Sequence, residues 1–250
     1  MTINDFFNYG ILGKMALQSA DGSLNMPLVI IGAVICAIIP YLLGSVNFAI
    51  IISKSKYKTD IRAFGSGNAG ATNMLRTFGK AAAGLTFLGD ALKAFVSGII
   101  GYAVLGQYGV YIAGLFCILG HMFPVYYKFK GGKGVVTAAI SILMCNPFVF
   151  LILLVIFIVI VACTKYVSLG SIMCVLLYPV ILDRIEKWIN GATGAYVVIA
   201  IVISLLVVIM HRENIVRLIN GKEHKLSFKK STSNEQKTND NTKTEKEENE

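Results

Sequence analysis

Two short stretches concentrate the residue types that hold phosphate. "GSGNAGATNMLRTFGK" (65–80) supplies Ser66, Asn68, Thr72, Asn73 and Arg76, and "GHMFPVYYKFKGGKG" (120–134) supplies His121, Lys128, Lys130 and Lys133. Glycines at Gly65, Gly67, Gly70, Gly131, Gly132 and Gly134 are interleaved with them. Such glycines let backbone N–H groups turn toward an anion, and a loop opening into a helix adds the positive end of its dipole. Arg76 can grip two oxygens at once, whereas lysines act as point charges. A general excess of cytoplasmic base would explain the lysines alone, but not glycine alternating with Ser, Asn and His. Two smaller patterns belong with these loops. In "HREN", His211 and Asn214 are three apart on a helix end, and in "YVSLGS" Ser168 and Ser171 have the same spacing.

More familiar chemistries fail on context. "GSGNAG" fits G-x-G-x-x-G, with Asp90 about twenty residues on, but a dinucleotide fingerprint needs a strand before it and a parallel sheet around it. Here a charge-free helix precedes the loop, and Asp90 lies in the apolar "AGLTFLGDALKAFVSGII", one turn before Lys93, as an intramembrane ion pair would. "KGGKGVVT" lacks the Ser or Thr that must follow a P-loop lysine. No H-E-x-x-H is present, and an H-x-x-x-x-D pair would need Asp where Tyr126, Val216 and Lys229 stand. The five cysteines lie in apolar runs without C-x-x-C spacing, so no metal, disulfide or cofactor is expected.

The elements that must position these residues are membrane helices. The chain of 250 residues is 55% hydrophobic and 15% charged, with a mean hydropathy of +0.67. Residues 27–53, 94–120, 134–164 and 188–210 contain no charge, and a spanning helix needs about 20 apolar residues. The reading is an all-α polytopic bundle of about seven spans, at 27–52, 81–103, 109–127, 134–146, 147–164, 166–182 and 191–210. Lys133 and Lys165 can share a side only if the chain turns at Asn146-Pro147 between them. The basic stretches then fall in the cytoplasm, with neutral or balanced links at 105–109, 146–147 and 183–187 outside. This puts the N-terminus outside and the C-terminus inside. Residues 1–26 form an extracytoplasmic, interfacial extension, 27–225 the membrane domain, and 226–250 a solvated, disordered tail whose acids match its lysines.

These motifs resemble the PlsY family of bacterial membrane acyltransferases. "YLLGSVNFAIIISK", which contributes Gly44, is similar to its first motif, and the two phosphate-type loops are similar to its second and third. "GDALKA", "KYVSLGSI" and "HRENIVRLINGKEHK" are similar to further family segments, in order over about Pro27 to Lys225. Asn47 stands where the family usually has Pro, and Phe78 where it usually has Gly. The resemblance implies a seven-span fold in the bacterial plasma membrane with its site at the cytoplasmic edge. It implies acyl transfer from acyl phosphate to the 1-hydroxyl of glycerol 3-phosphate, giving lysophosphatidic acid for phospholipid synthesis. By motif position, Ser66, Arg76 and a lysine of the third motif hold phosphate, while His121, Ser168 or Ser171, His211 and Asn214 complete the pocket. The base is a substrate phosphate oxygen, His121 or His211. Expected partners are the bilayer and a cytosolic enzyme that makes the acyl phosphate, not nucleic acid. The rival reading is a transporter of an organic phosphate or another anion through the same basic loops.

Overall fold

The computed structural model describes residues 3–17, 25–191 and 196–226; the expected tail lies outside them from residue 227. Ten α-helices are described: α1 (Ile3–Leu17), α2 (Met26–Ser45), α3 (Phe48–Tyr57), α4 (Ala71–Phe78), α5 (Lys80–Met122), α6 (Val135–Cys145), α7 (Pro147–Thr164), α8 (Val167–Asn190), α9 (Tyr196–Met210) and α10 (Arg212–Ile219). The described residues contain no strand.

Caps and breaks set these boundaries. Asn25 accepts a hydrogen bond from Leu28 N at 3.3 Å ahead of Pro27, and Asn146 accepts one from Val149 N at 3.1 Å ahead of Pro147, so the two Asn–x–Pro and Asn–Pro signals each open an apolar helix. The expected first span is broken at Val46-Asn47. There Asn47 caps α3 through Ile50 N at 3.1 Å and donates to Ala69 O at 3.3 Å. Asn47 thus restarts the helix and also ties it to the glycine loop. α5 is broken at Leu105-Gly106 into two antiparallel arms, 80–104 and 107–122. The arms touch where a Cβ on Gly101 would stand 2.3 Å from Gly109 O, an approach that only glycine permits.

Two expected boundaries move. The span drawn to 127 ends at Met122, because Pro124 cannot continue the helix and Val125–Tyr127 forms a 3-10 turn instead. The "DRIEK" segment, read as a connection, is the end of α8. Asp183 and Lys187 pair at 3.0 Å four residues apart, and Gly191 at φ 74° stops the helix. α6 has 11 residues, about 16 Å of rise against a hydrocarbon core of about 30 Å, so it is short for a crossing.

The links fall at two ends. Residues 46–79, 123–134, 165–166 and 211–226 are bonded to one another: Arg62 Nη1 donates to Lys130 O at 3.0 Å, Ser168 Oγ to Glu223 at 2.9 Å and Leu226 N to Lys165 O at 2.7 Å. At the far end, Gln107 Nε2 donates to Cys145 O at 2.6 Å and Tyr196 stacks on Tyr111 at 4.4 Å. α1 seats on that far end, its Gly10 backbone against Val104–Gly106. The core is knit from the second arm of α5 with α6 to α9, around Tyr111, Ile118, Met122, Val149, Tyr178, Leu182 and Val207. Outside it, Val155, Ile158 and Val159 of α7 stand more than half exposed, as side chains facing lipid do.

Candidate functional site

The basic end is shaped by two polar knots beneath its surface. The first lies within the glycine loop. Asn73, buried at the start of α4, accepts from Ser66 N at 3.0 Å and donates to Phe64 O at 2.9 Å and Asn68 O at 3.0 Å. Its amide, expected at a ligand, instead folds the loop, and leaves the half-buried Ser66 hydroxyl and Asn68 side chain on the loop's rim. Arg62 then clamps this loop to the next one. It is held by Asp60 at 2.8 and 3.0 Å and donates to Tyr127 O and Lys130 O. Those hydrogen bonds draw the Asp60 carboxyl down to about 2 despite partial burial.

The second knot centres on Lys93. Its Nζ donates to Gly44 O at 2.9 Å and Val46 O at 2.7 Å, the carbonyls freed by the α2–α3 break, and lies 2.9 Å from both Asp90 Oδ1 and His121 Nδ1. His121 is therefore enclosed. A Cβ on Gly132 would stand 2.3 Å from its Nε2, and Gly131 N and Gly132 N bond Met122 O and His121 O. A carbonyl-bound ammonium occupying Nδ1 and a backbone wall over Nε2 make His121 a pin between the motifs. The expectation that it takes a proton from substrate is corrected accordingly.

Above the knots lies a cationic cluster drawn from α4, α10 and the loop ahead of α6. Arg76 of α4, Lys133 ahead of α6, and Arg217 of α10 surround the buried carboxylate of Glu223, and the charges of Arg217 and Glu223 act on both Arg76 and Lys133. Lys133 Nζ donates to Asn214 Oδ1. Asn214 Nδ2 donates to Glu223 Oε1 at 2.7 Å, Ser168 Oγ to the same oxygen at 2.9 Å, and Arg217 Nε to Oε2 at 2.9 Å. Burial would raise the Glu223 carboxyl, but these hydrogen bonds and the nearby guanidinium hold it below the usual range. Arg76 is half-buried and donates no hydrogen bond to any described residue. His211 is buried beside the cluster with Nδ1 2.7 Å from Val207 O. A proton on Nδ1 donated to that carbonyl assigns Nε2 as the free acceptor.

The structure thus brings Arg76, Lys133, Ser168, His211 and Asn214 together. It leaves out Lys128 and Lys130, which are exposed on the loop, and Ser171, whose hydroxyl bonds Val167 O of its own helix at 2.9 Å. Gly65, Gly67 and Gly134 take positive φ, Gly70 precedes α4, and Gly44 packs against the Cys117 backbone. Arg217 and Glu223 were not singled out by sequence. The signal was present for Arg217, three residues after Asn214 on one helix face, but Glu223 stands among lysines in "GKEHK" with nothing to set it apart.

What the cluster can do is bind phosphate. Burial pushes the Lys133 ammonium down to about 8, with Arg217 adding to the fall. Lys133 is then charged below that pH and neutral above it. If it grips an anionic substrate, kcat/KM falls as pH rises through about 8, approaching tenfold per unit, and Lys133→Arg carries the plateau beyond pH 9. A pH–rate profile of both proteins checks this. An unchanged alkaline limb in the arginine variant would remove Lys133 from substrate binding.

The family model described as glycerol-3-phosphate acyltransferase matches residues 34–221. The glycerol-3-phosphate acyltransferase of Finegoldia magna is 42% identical over 196 residues, covering 77% of this chain and 96% of that protein. Its namesake from Syntrophomonas wolfei is 46% identical over 189 residues, covering 76% and 94%. Among solved structures, the crystal structure of PlsY, an integral membrane glycerol 3-phosphate acyltransferase, in its glycerol 3-phosphate form superposes with a TM-score of 0.70 at 38% identity, over 78% of this chain and 96% of that one. Its lysophosphatidic acid form superposes with a TM-score of 0.67 at 37% identity, with the same coverage.

Proposed function

The chain belongs to the glycerol-3-phosphate acyltransferase family, and we propose that it moves an acyl group from acyl phosphate to the 1-hydroxyl of glycerol 3-phosphate. The products are 1-acylglycerol 3-phosphate and inorganic phosphate, in phospholipid synthesis. The observation that supports this best is the convergence of Arg76, Lys133 and Arg217 on one patch at the end of an apolar bundle. Both substrates bring phosphate, and a patch whose three cations outnumber the carboxylates of Glu213 and Glu223 can hold such groups.

A mixed anhydride arrives already activated, which sets a modest chemical task. The hydroxyl oxygen attacks the acyl carbon, the bond from that carbon to the phosphate oxygen breaks, and phosphate leaves with the electron pair. The hydroxyl proton passes to a phosphate oxygen or to Nε2 of His211. Arg76 and Lys133 stabilise the departing charge, Ser66 and Ser168 add hydroxyl donors, and Asn214 fixes the lysine. This is catalysis by orientation and electrostatics, with direct transfer in a ternary complex and no cofactor.

In the bilayer the bundle makes seven crossings, with the basic end cytoplasmic, α1 at the outer surface of the bacterial cell membrane, and the tail in the cytoplasm. The gathering of Lys54, Lys56, Arg62, Lys128, Lys133 and Arg217 at one end supports that orientation. Acyl phosphate would then be delivered from the cytosol by the enzyme that makes it.

The test uses purified protein with palmitoyl phosphate, with and without glycerol 3-phosphate, and palmitoyl-CoA as a parallel donor. Phosphate release that depends on glycerol 3-phosphate and yields lysophosphatidic acid is expected. Transfer from palmitoyl-CoA alone, or an acylated protein trapped in single turnover, would overturn the donor or the direct step. Folded protein with no turnover would favour an anion transporter.

A further inference from the structure

Lys128 and Lys130 stand outside the phosphate cluster, and neither side chain makes an ion pair or hydrogen bond among the described residues. The segment that bears them, 123–130, also exposes apolar surface: Tyr126 and Phe129 are 55% and 58% exposed, with Phe123 and Val125 exposed beside them. Its backbone is strained. Lys128 and Phe129 hold φ of 56° and 57°, two successive residues in the left-handed region that side chains with a Cβ rarely adopt. Such a turn persists only where its surroundings over-determine it. Here Phe129 N donates to Pro124 O at 3.0 Å to close the turn, and Arg62 holds Tyr127 O and Lys130 O from within. From without, Tyr41 Oη donates to Phe123 O at 2.9 Å and Val125 N donates to Ser45 Oγ at 3.3 Å.

The outer tethers fix the depth of the segment. Tyr41 and Ser45 belong to the last turns of α2, and with Ile38 and Leu42 they recur at i, i+3, i+4 and i+7, so one face carries all four. Ile38 and Leu42 stand exposed, as side chains that meet lipid do. The segment therefore prolongs a lipid-facing stripe to the level where hydrocarbon gives way to headgroups. That level favours what the segment carries: aromatic rings seat there, and lysines draw anionic lipid. A soluble acidic partner would match the lysines, but not rings that continue a membrane stripe.

We propose that segment 123–130 is a headgroup site for an anionic phospholipid of the bilayer. Tyr126 and Phe129 enter the interface, and Lys128 and Lys130 meet the phosphodiester. The site is separate from the one that takes substrate phosphate, because Lys133 turns off at Gly134 toward Asn214 while Lys128 and Lys130 remain on the exposed turn. It assigns a role to two lysines that acyl transfer leaves unused.

The experiment uses the full chain and its sole tryptophan, Trp188, which is exposed at the far end. Trp188→Phe/Tyr126→Trp moves the fluorophore into the segment. The protein is reconstituted in phosphatidylcholine mixed with brominated phosphatidylglycerol or with brominated phosphatidylcholine, and quenching gives the relative affinity of the two lipids at the reporter. A preference for phosphatidylglycerol of about fivefold or more is expected, since one lysine near the surface supplies about that factor. Adding Lys128→Ala/Lys130→Ala should bring the two lipids to within about twofold of each other. Adding Lys56→Ala/Lys58→Ala or Arg76→Ala should keep the preference, and Trp188 in the natural chain should show none. Absence of quenching by either lipid overturns the proposal and gives the segment to a soluble partner. Equal quenching in the reporter, or a preference that survives loss of Lys128 and Lys130, also overturns it. So does a loss of the same size without Lys56 and Lys58, which would mean a diffuse field, or without Arg76, which would put the lipid in the substrate site.

Discussion

Arg76→Ala is expected to lower kcat/KM by about 10²- to 10³-fold with the protein still folded, as read by steady-state kinetics alongside a thermal melt. The expectation comes from where Arg76 stands and from what it does not hold. α4 is anchored by its neighbours: Asn73 bonds the preceding loop, and Met74 is fully buried with Ala49, Ile50, Ile61 and Ala82. Removing a half-buried guanidinium that bonds no described residue leaves those anchors in place. Its partners in the apo protein are long-range charges, so most of its donor capacity is open to a ligand. Two charge-assisted hydrogen bonds to a phosphate contribute about 3–4 kcal/mol together, which is two to three decades of rate if they persist in the transition state. Arg76→Lys, which keeps the charge and loses the fork, should recover no more than about tenfold. Near-normal kinetics in folded Arg76→Ala would refute the role and leave Arg217 as the phosphate ligand.

How much of this was legible in the sequence depends on the type of signal. Charge-free runs and the positions of lysines place the helices and group the loops at one end, because bilayer thickness and charge are blunt constraints that no tertiary contact overrides. The turn at Asn146-Pro147 was readable for the same reason, reinforced by a cap and a helix-starting proline. "DRIEK" misled because a balanced charge cluster reads equally as a loop or as an i,i+4 pair on a helix, and only the αL stop at Gly191 decides. The site divides similarly. His121 and His211 look alike in sequence, each a lone histidine at a membrane edge. What separates them is a partner: an ammonium from α5 closes the first, whereas a backbone carbonyl of its own helix orients the second. Lys128, Lys130 and Lys133 look alike in sequence, yet the backbone turn at Gly134 aims only the last toward α10. The distinctions at His121 and Lys133 arise from contacts between residues 28 and 81 positions apart, and local pattern contains no information about them.

Lys93→Met is expected to destabilise the fold by about 3–5 kcal/mol, the usual consequence of removing one member of a buried pair. Its Asp90 partner is 2% exposed and sits in an apolar helix, so the orphaned carboxylate keeps only the His121 ring, 3.5 Å away, as a neighbour. Gly44 O and Val46 O also lose their donor, and no backbone N–H can replace it, because the helix they would have continued stops at Ser45. Asp90→Asn/Lys93→Met removes both charges and leaves only the carbonyls unmet, so it should recover about 2 kcal/mol relative to Lys93→Met alone. Unfolding in mixed micelles of graded denaturing detergent measures the series. Lys93 also joins the α2–α3 break to His121, and His121 backs the Gly131–Gly132 loop that leads to Lys133. Loss of the hub should therefore raise KM for glycerol 3-phosphate even in the fraction that stays folded. Lys93→Met with wild-type stability would mean that the bilayer end of the bundle admits enough water to solvate Asp90. The carbonyls at the helix break would then be held open by solvent rather than by the lysine, and the rigidity of the phosphate loops would have to originate in Arg62 and Asn73 alone.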